Sequence, residues 1–162
     1  SMLKGSGVGL VFVGRGSDDD LHALREHAKE SEVSLWVYSN LDLSQLIATM
    51  RRSRAVISMA HGEPFGLTAI EALSVGVPAL FVDEGGFRDS ITDGICGRLL
   101  PRDDYHAWHR AIEIAGDPEV MRKWEATGRN RIKELNLDPE SQSGFILDAL
   151  FPNRSPIRTE EE

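Results

Sequence analysis

Two carboxylates eight positions apart, Glu63 and Glu71, bracket a stretch of backbone suited to holding an anion. Glu63 sits in a loop punctuated by Gly62, Pro64 and Gly66, and Glu71 sits just past the first turn of the helical pattern that Thr68 leads into. Between them, Gly66, Leu67 and Thr68 present backbone N–H groups at a helix N-terminus, where free donors and the positive end of the dipole favour phosphate. Gly66 allows close approach of a bulky anion because it has no Cβ. A carboxylate does not bind phosphate. Two of them on either side of a phosphate site imply a ligand with hydroxyls flanking its phosphates, and a nucleotide-sugar has that pattern. A glutamate on a helix is by itself usually a solvated side chain. It is the combination of Glu71 with Glu63 and the Phe65–Thr68 turn that singles it out. Phe65 reads equally well as a packing residue that shapes the loop.

The elements that must position this stretch are legible on both sides of it. The apolar run Ala55 to Met59 predicts a strand feeding the loop. Leu67, Ile70, Ala72 and Leu73 predict the core face of the helix, and Gly76 and Pro78 end it. Ala79 to Val82 predicts the next strand, so the segment is one βαβ unit. Upstream, Val8 to Val13 predicts a strand ending at Gly14-Arg15-Gly16-Ser17, then a helix from Asp18 to Lys29 with acidic residues in its first turn. Gly14-x-Gly16 without a third glycine is a weak dinucleotide signal, and a plain strand-to-helix turn explains it as well. Val33 to Tyr38 predicts the second strand. Ser39 to Asp42 is a loop, with Asp42 or Ser44 as cap for a helix striped by Leu43, Leu46, Ile47 and Met50. Arg51, Arg52 and Arg54 close that helix as cations at its C-terminus.

Downstream, Asp83-Glu84-Gly85-Gly86 is a loop, Phe87 to Ile91 a short helical turn, and Arg98 to Leu100 a last strand stopped by Pro101. Asp103 or Asp104 caps a helix containing Trp108, Ile112 and Ala115. Asp117-Pro118-Glu119 opens another, with Met121, Trp124, Ile132 and Leu135 on its apolar face. Ser141 to Phe151 reads as a final helix. Alternating strands and helices predict an α/β fold, a doubly wound, mostly parallel Rossmann-like sheet. In such sheets ligands bind outside the carboxyl ends of the strands, which are the loops at 14–17, 39–42, 60–67 and 83–86.

The 162 residues suit one domain, divided here as a tag scar and frayed start at 1–7, a folded unit at 8–151 and a disordered tail at 152–162. A net charge of −8 argues against nucleic acid or an anionic membrane as partner, and no apolar run is long enough to cross a bilayer. The single cysteine, Cys96, rules out an internal disulfide and fits a reducing, cytoplasmic setting. With no activating neighbour in sequence, Cys96 reads as structural.

The run from Glu63 to Pro78, EPFGLTAIEALSVGVP, resembles the Glu-x7-Glu signature of retaining GT-B glycosyltransferases, most closely glycosyltransferase family 4, the group 1 transferases. The resemblance covers roughly residues 8 to 135 in one order. It implies the C-terminal, nucleotide-sugar-binding half of a GT-B enzyme of hexosyltransferase type. Val13-Gly14-Arg15-Gly16 is similar to the family's strand that ends beside the nucleotide, and Asn40, Leu41 and Asp42 fall where backbone meets the base. Glu63 falls on the glutamate that contacts the donor sugar's hydroxyls and is the catalytic candidate. Phe65, Gly66, Leu67 and Thr68 fall on the segment whose amides hold the diphosphate and sugar, and Glu71 on the glutamate that grips the ribose. Gly85 and Gly86 match the family's Gly-Gly loop, and Asp93 to Pro101 its DGxxGxLxxP stretch. The donor is then a substrate, with no cofactor and no metal expected. Asp18-Asp19-Asp20 contains an Asp-x-Asp pattern but is read as a helix start.

Three departures from the family pattern bear on activity. No strand carrying the family's diphosphate-neutralising Gly-Arg and Lys precedes Val8, and Arg15 is a weaker substitute. The N-terminal acceptor domain, expected as a partner from the same protein, is absent from this sequence. Met59-Ala60-His61 stands where the family often has Pro-Ser-Arg; His61 is either a catalytic base or, as preferred here, a loop histidine beside the site. The expectation is therefore a donor-binding domain with little transferase activity alone. The alternatives are a non-catalytic transferase-like module and a GT-B-fold sugar-nucleotide epimerase, against which the Phe-Gly-Leu-Thr-x-x-Glu pattern speaks.

Overall fold

A computed structural model of the chain describes Leu3 and residues 6–150. The tail at 152–162, and the greater part of the frayed start proposed at 1–7, lie outside the described residues. The elements run β1 Leu10–Val13, α1 Asp18–Glu30, β2 Leu35–Tyr38, α2 Leu43–Arg51, β3 Val56–Ser58, α3 Leu67–Ser74, β4 Ala79–Val82, α4 Phe87–Ser90, β5 Gly97–Leu100, α5 Tyr105–Ile114, α6 Pro118–Glu134 and α7 Pro139–Leu150.

Most helix starts are set by short polar side chains. Ser17 and Asp20 form a reciprocal capping box on α1, and Asp42 and Gln45 form one on α2. Asp104 caps α5, and Asp117 caps α6 with Pro118 in its first turn. Asp18, Asp19 and Asp20 thus open a helix as expected. The end of α1 explains why the strand after it starts later than the expected Val33, and α3 ends in a similar left-handed turn. At α1, Glu32 takes φ 55° and Val33 donates its N–H to the Ala28 carbonyl, so Val33 finishes the helix and pairing with the sheet begins only near Leu35. At α3, Gly76 takes φ 80° and Val77 donates to Ala72.

The strands pair in parallel but in two groups. β1 pairs with β2, with Leu10 opposite Leu35. β4 lies between β3 and β5, with Leu80 opposite Ile57 and Arg98. The two groups differ in packing. Every residue of β4 is buried, α3 and α5 both pack on it, and the core of Leu73, Leu80, Phe81, Phe87, Leu100, Trp108 and Trp124 surrounds it. In contrast, α1 and α2 bury no residue fully, and Trp36 and Tyr38 of β2 are exposed.

A cavity of about 690 Å³ lies between the groups, lined by all four residues of β1, Val56 and Ile57 of β3, Leu46 and Met50 of α2, and Thr68 and Glu71 of α3. The edges of β1 and β3 that are not paired with β2 and β4 have no strand beside them among the described residues. The arrangement β2-β1, cavity, β3-β4-β5 follows a doubly wound sheet in which the chain reverses direction between the two inner strands.

Phe81 is the centre of the packed half: it is fully buried and meets Phe87 edge to face, ring centroids 4.7 Å apart. Phe81→Ala is expected to cost about 3–5 kcal/mol, read as a lower midpoint in urea unfolding monitored by tryptophan fluorescence. An unchanged midpoint would mean that the β4 core is not what holds the domain.

Candidate functional site

The four loops predicted to cluster follow β1, β2, β3 and β4 at their carboxyl ends. The loop after β3 carries Glu63 and delivers the chain to α3. Gly66 is its pivot: it takes φ 78°, occupies the N-cap of α3 with no side-chain cap, and is buried. A Cβ there would come within 2.9 Å of Ser90 Oγ. Glu63 supplies the missing cap. Its Oε1 accepts from the Gly66 N–H at 2.9 Å and from Phe65 N at 3.4 Å. Two of the amides predicted to meet a ligand's phosphate are therefore held by the chain's own carboxylate. The N–H groups of Leu67 and Thr68, the next two in the helix, have no partner among the described residues. Both residues are exposed, as is Phe65. Among the described residues, the loop thus presents two free amides beside a half-buried carboxylate whose second oxygen, Oε2, makes no hydrogen bond.

The loop after β4 backs this arrangement. Gly86 donates its N–H to the Glu63 carbonyl at 2.8 Å, and Ser90 Oγ donates to the Phe65 carbonyl at 2.9 Å. A Cβ on Gly86 would meet the Phe65 backbone at 2.5 Å, and one on Gly85 would overlap the Glu63 carbonyl oxygen. Gly85 and Gly86 are needed because two backbones touch here. Arg88 braces the same turn by bonding Asp83 through both its side-chain carboxylate and its carbonyl, at 2.7 and 2.6 Å.

On the other side of the cavity, Arg15 donates to Asn40 Oδ1 at 2.8 Å, joining the loops after β1 and β2. Gly16 is exposed before α1, and Leu41 is half-buried. Thr68 and Glu71 stand one turn apart on α3 and both line the cavity, whereas Ala69, Ala72 and Leu73 turn into the core. The cavity reaches Glu71 but not Glu63, so the two carboxylates open onto different parts of the surface around the N-terminal turn of α3.

Two residues at this edge carried no sequence signal. Ser90 was read only as part of a helical turn. Arg102, two positions past β5, forks onto Glu84 at 2.9 and 2.7 Å and reaches the carbonyls of Met59 and Ala60 at 2.7 and 3.3 Å. Its place just beyond a strand's carboxyl end was the available clue. His61, mostly exposed, has Nδ1 3.7 Å from Glu84 Oε2. Cys96 is buried and bonded to Thr92, and burial pushes its thiol pKa up, as a structural cysteine requires. Among the described residues no group of three His, Cys, Asp or Glu side chains is placed to hold a metal ion, and no helix is long and apolar enough to cross a membrane.

Parallel strands alternating with helices, with loops gathered at the strands' carboxyl ends, define an α/β fold of the kind seen in GT-B proteins. The family model for glycosyl transferases group 1 matches residues 2–131, and the chain belongs to that family. It is 32% identical to a phosphatidyl-myo-inositol mannosyltransferase from Mycolicibacterium smegmatis over 128 residues, which is 77% of this chain and 32% of that protein. It is 28% identical to a glycogen synthase from Mycobacterium tuberculosis over 129 residues, 78% of this chain and 31% of that protein. The chain thus spans about a third of the length of these curated relatives. Among solved structures, sucrose-phosphate synthase from Thermosynechococcus elongatus superimposes with a TM-score of 0.74 at 26% identity, over 90% of this chain and 39% of that one. HepE from Anabaena, solved with UDP-glucose, superimposes with a TM-score of 0.71 at 16% identity, over 90% and 42%.

The hydrogen bond from Arg102 holds the Glu84 carboxyl below its ordinary value of 4.5, helped by the charges of Arg102, His61 and Arg88 against some desolvation. A lowered folded-state pKa gives stability that is complete above the ordinary value and lost as pH falls through the folded one. Glu84→Gln is therefore expected to be less stable than the parent near neutral pH and to converge with it as pH falls through the lowered folded-state value of Glu84. Asp42 and Asp138, also lowered, titrate in both proteins and cancel. Urea unfolding of the pair across this range checks it. A gap that persists at low pH would assign the loss to shape and not to charge.

Proposed function

We propose that this chain is the nucleotide-sugar-binding half of a retaining, metal-independent glycosyltransferase, and that by itself it binds donor but transfers little sugar. The observation that carries the reading is the pair of unpartnered amides at Leu67 and Thr68, flanked by Glu63 and Glu71. In this reading the diphosphate sits on those amides, at the positive end of α3. Glu63, with Oε1 engaged by the loop, offers Oε2 to a hydroxyl of the sugar. Glu71 takes the ribose hydroxyls from within the cavity. During transfer the bond from the anomeric carbon to the phosphate oxygen breaks, and its electron pair leaves with the nucleoside diphosphate. The amides and helix dipole stabilise that leaving charge without a metal. An acceptor hydroxyl oxygen forms the new bond while its proton passes to the departing phosphate oxygen, and holding that hydroxyl against the anomeric carbon supplies much of the rate. We assign that task to a further domain of the same protein.

Titration calorimetry with UDP-, GDP- and ADP-glucose tests the reading. One base is expected to bind, and Glu63→Ala and Glu71→Ala should each weaken it by about tenfold or more, from loss of hydrogen bonds to a charged group worth about 1.5–3 kcal/mol. No binding of any of the three would favour a non-catalytic module.

We also propose that a segment of the wider protein adds a strand between β1 and β3, whose free edges line one cavity. Amide exchange at Val11, Val13 and Ile57 should then slow by about a hundredfold or more in a longer form of the protein, consistent with newly buried ladder bonds. Equal exchange in the two forms would refute the added strand.

A further inference from the structure

We propose that Arg102 is a positioning residue for the sugar-facing side of the site, acting through the loop that carries Glu63. This rests on the donor-site reading above.

Arg102 follows β5, Glu84 follows β4, and Met59 and Ala60 follow β3. One guanidinium therefore ties together the carboxyl ends of three neighbouring strands. It bonds Glu84 Oε1 at 2.9 Å and Oε2 at 2.7 Å, the Met59 carbonyl at 2.7 Å and the Ala60 carbonyl at 3.3 Å. Nε, Nη1 and both Nη2 hydrogens are thereby occupied, which leaves one of the five N–H donors. Arg102 is thus poorly placed to bind phosphate itself and well placed to hold other groups. Its side chain is 23% exposed and that of Glu84 39%, so the fork between them is partly shielded from competing water.

What it holds is the entry to the Glu63 loop. Only His61 and Gly62 separate the clasped Ala60 carbonyl from Glu63. Gly62 takes φ 64° and has open space around it, so nothing local stiffens the turn. Beyond Glu63 the loop is fixed by Gly86 and Ser90. The Glu63 loop is therefore pinned at both ends, by Arg102 before it and by Gly86 and Ser90 after it. Glu71 lies on α3, whose position depends on the β4 core and not on Arg102. The two carboxylates have separate supports, and loss of Arg102 should disturb one and spare the other.

The test compares Arg102→Ala with the parent chain, using UDP-glucose and UDP, or the matching GDP or ADP pair if the panel selects that base. Arg102→Ala is expected to weaken the nucleotide-sugar about tenfold and the nucleoside diphosphate less than about twofold, as loss of one oriented hydrogen-bonding group would give. Arg102→Lys should recover only part of this, because an ammonium cannot fork onto Glu84 and reach two carbonyls. Amide exchange supplies a readout independent of ligand. The Gly86 and Gly66 amides should exchange faster in Arg102→Ala while those of Leu80 and Phe81 do not change. If Arg102→Ala unfolds, Glu84→Gln carries the same comparison. Equal weakening of both ligands would reduce Arg102 to general stability and overturn the proposal. Unchanged exchange at Gly86 and Gly66 would overturn the clasp. A parent chain that binds no nucleotide, with exchange altered as expected, would overturn the donor-site reading and with it the sugar-side role, while the clasp would stand.

Discussion

The site depends on two turns whose backbones touch. The turn after β4 lies against the turn after β3 with no side chain between them, at Gly85 and Gly86 on one side and Glu63 to Phe65 on the other. From that contact follow the direction of the Glu63 carbonyl, the left-handed turn at Gly66 and the exposure of the amides beyond it. A side chain in the interface would lift the Glu63 loop away and tilt the first turn of α3 with it. The rest of α3 packs on β4 and α6, so the body of the helix has a support of its own.

The proposed anion site would lie on an acidic chain, which poses an electrostatic problem that centres on Glu63. The net charge is −8, yet the N-terminus of α3 still offers donors. The chain's own carboxylate satisfies the first of them and leaves the next two open. A phosphate arriving at Leu67 and Thr68 would sit close to that carboxylate, so the helix dipole and amides must outweigh a nearby like charge. Arg102 and Arg88 are paired with Glu84 and Asp83, whereas Arg15 bonds the neutral amide of Asn40 and so keeps its full charge.

Much of the frame was legible because local chemistry decides it. Asp42, Asp104 and Asp117 announce helix starts through side-chain acceptors, and Ala79 to Val82 announces a strand because a parallel strand covered on both faces has no polar side. The late start of β2 was not legible. Val33 is apolar and β-branched, but its N–H is taken by the end of α1 at a left-handed glutamate, and nothing in residue type announces that Glu32 will adopt such a turn. The sequence pointed to the two glutamates but not to the division between them. Their separate supports arise from tertiary contacts, Gly86 and Ser90 for one and the β4 core for the other, that no spacing encodes. Arg102 was invisible for the same reason: its partners are 18 and more than 40 positions away.

The uneven packing of the two halves has a mechanistic sense. β3, β4 and β5 carry the core and hold Glu63, Gly66 and the free amides in a rigid frame. β1 and β2 bury little, and the cavity separates them from that frame. Parallel strands are stable when covered on both faces, and among the described residues β1 has only β2 beside it. Glu71 and Thr68 face this less supported side, so whatever they bind would also be gripped by loops after β1 and β2 whose positions are weakly fixed. A ligand bridging the cavity would gain contacts from both halves only by ordering the weaker one, which subtracts from its affinity. Filling the cavity with a strand would remove that cost before the ligand arrives. In the proposed reading, sheet completion and tight ligand binding would thus be coupled through the same 690 Å³ of space.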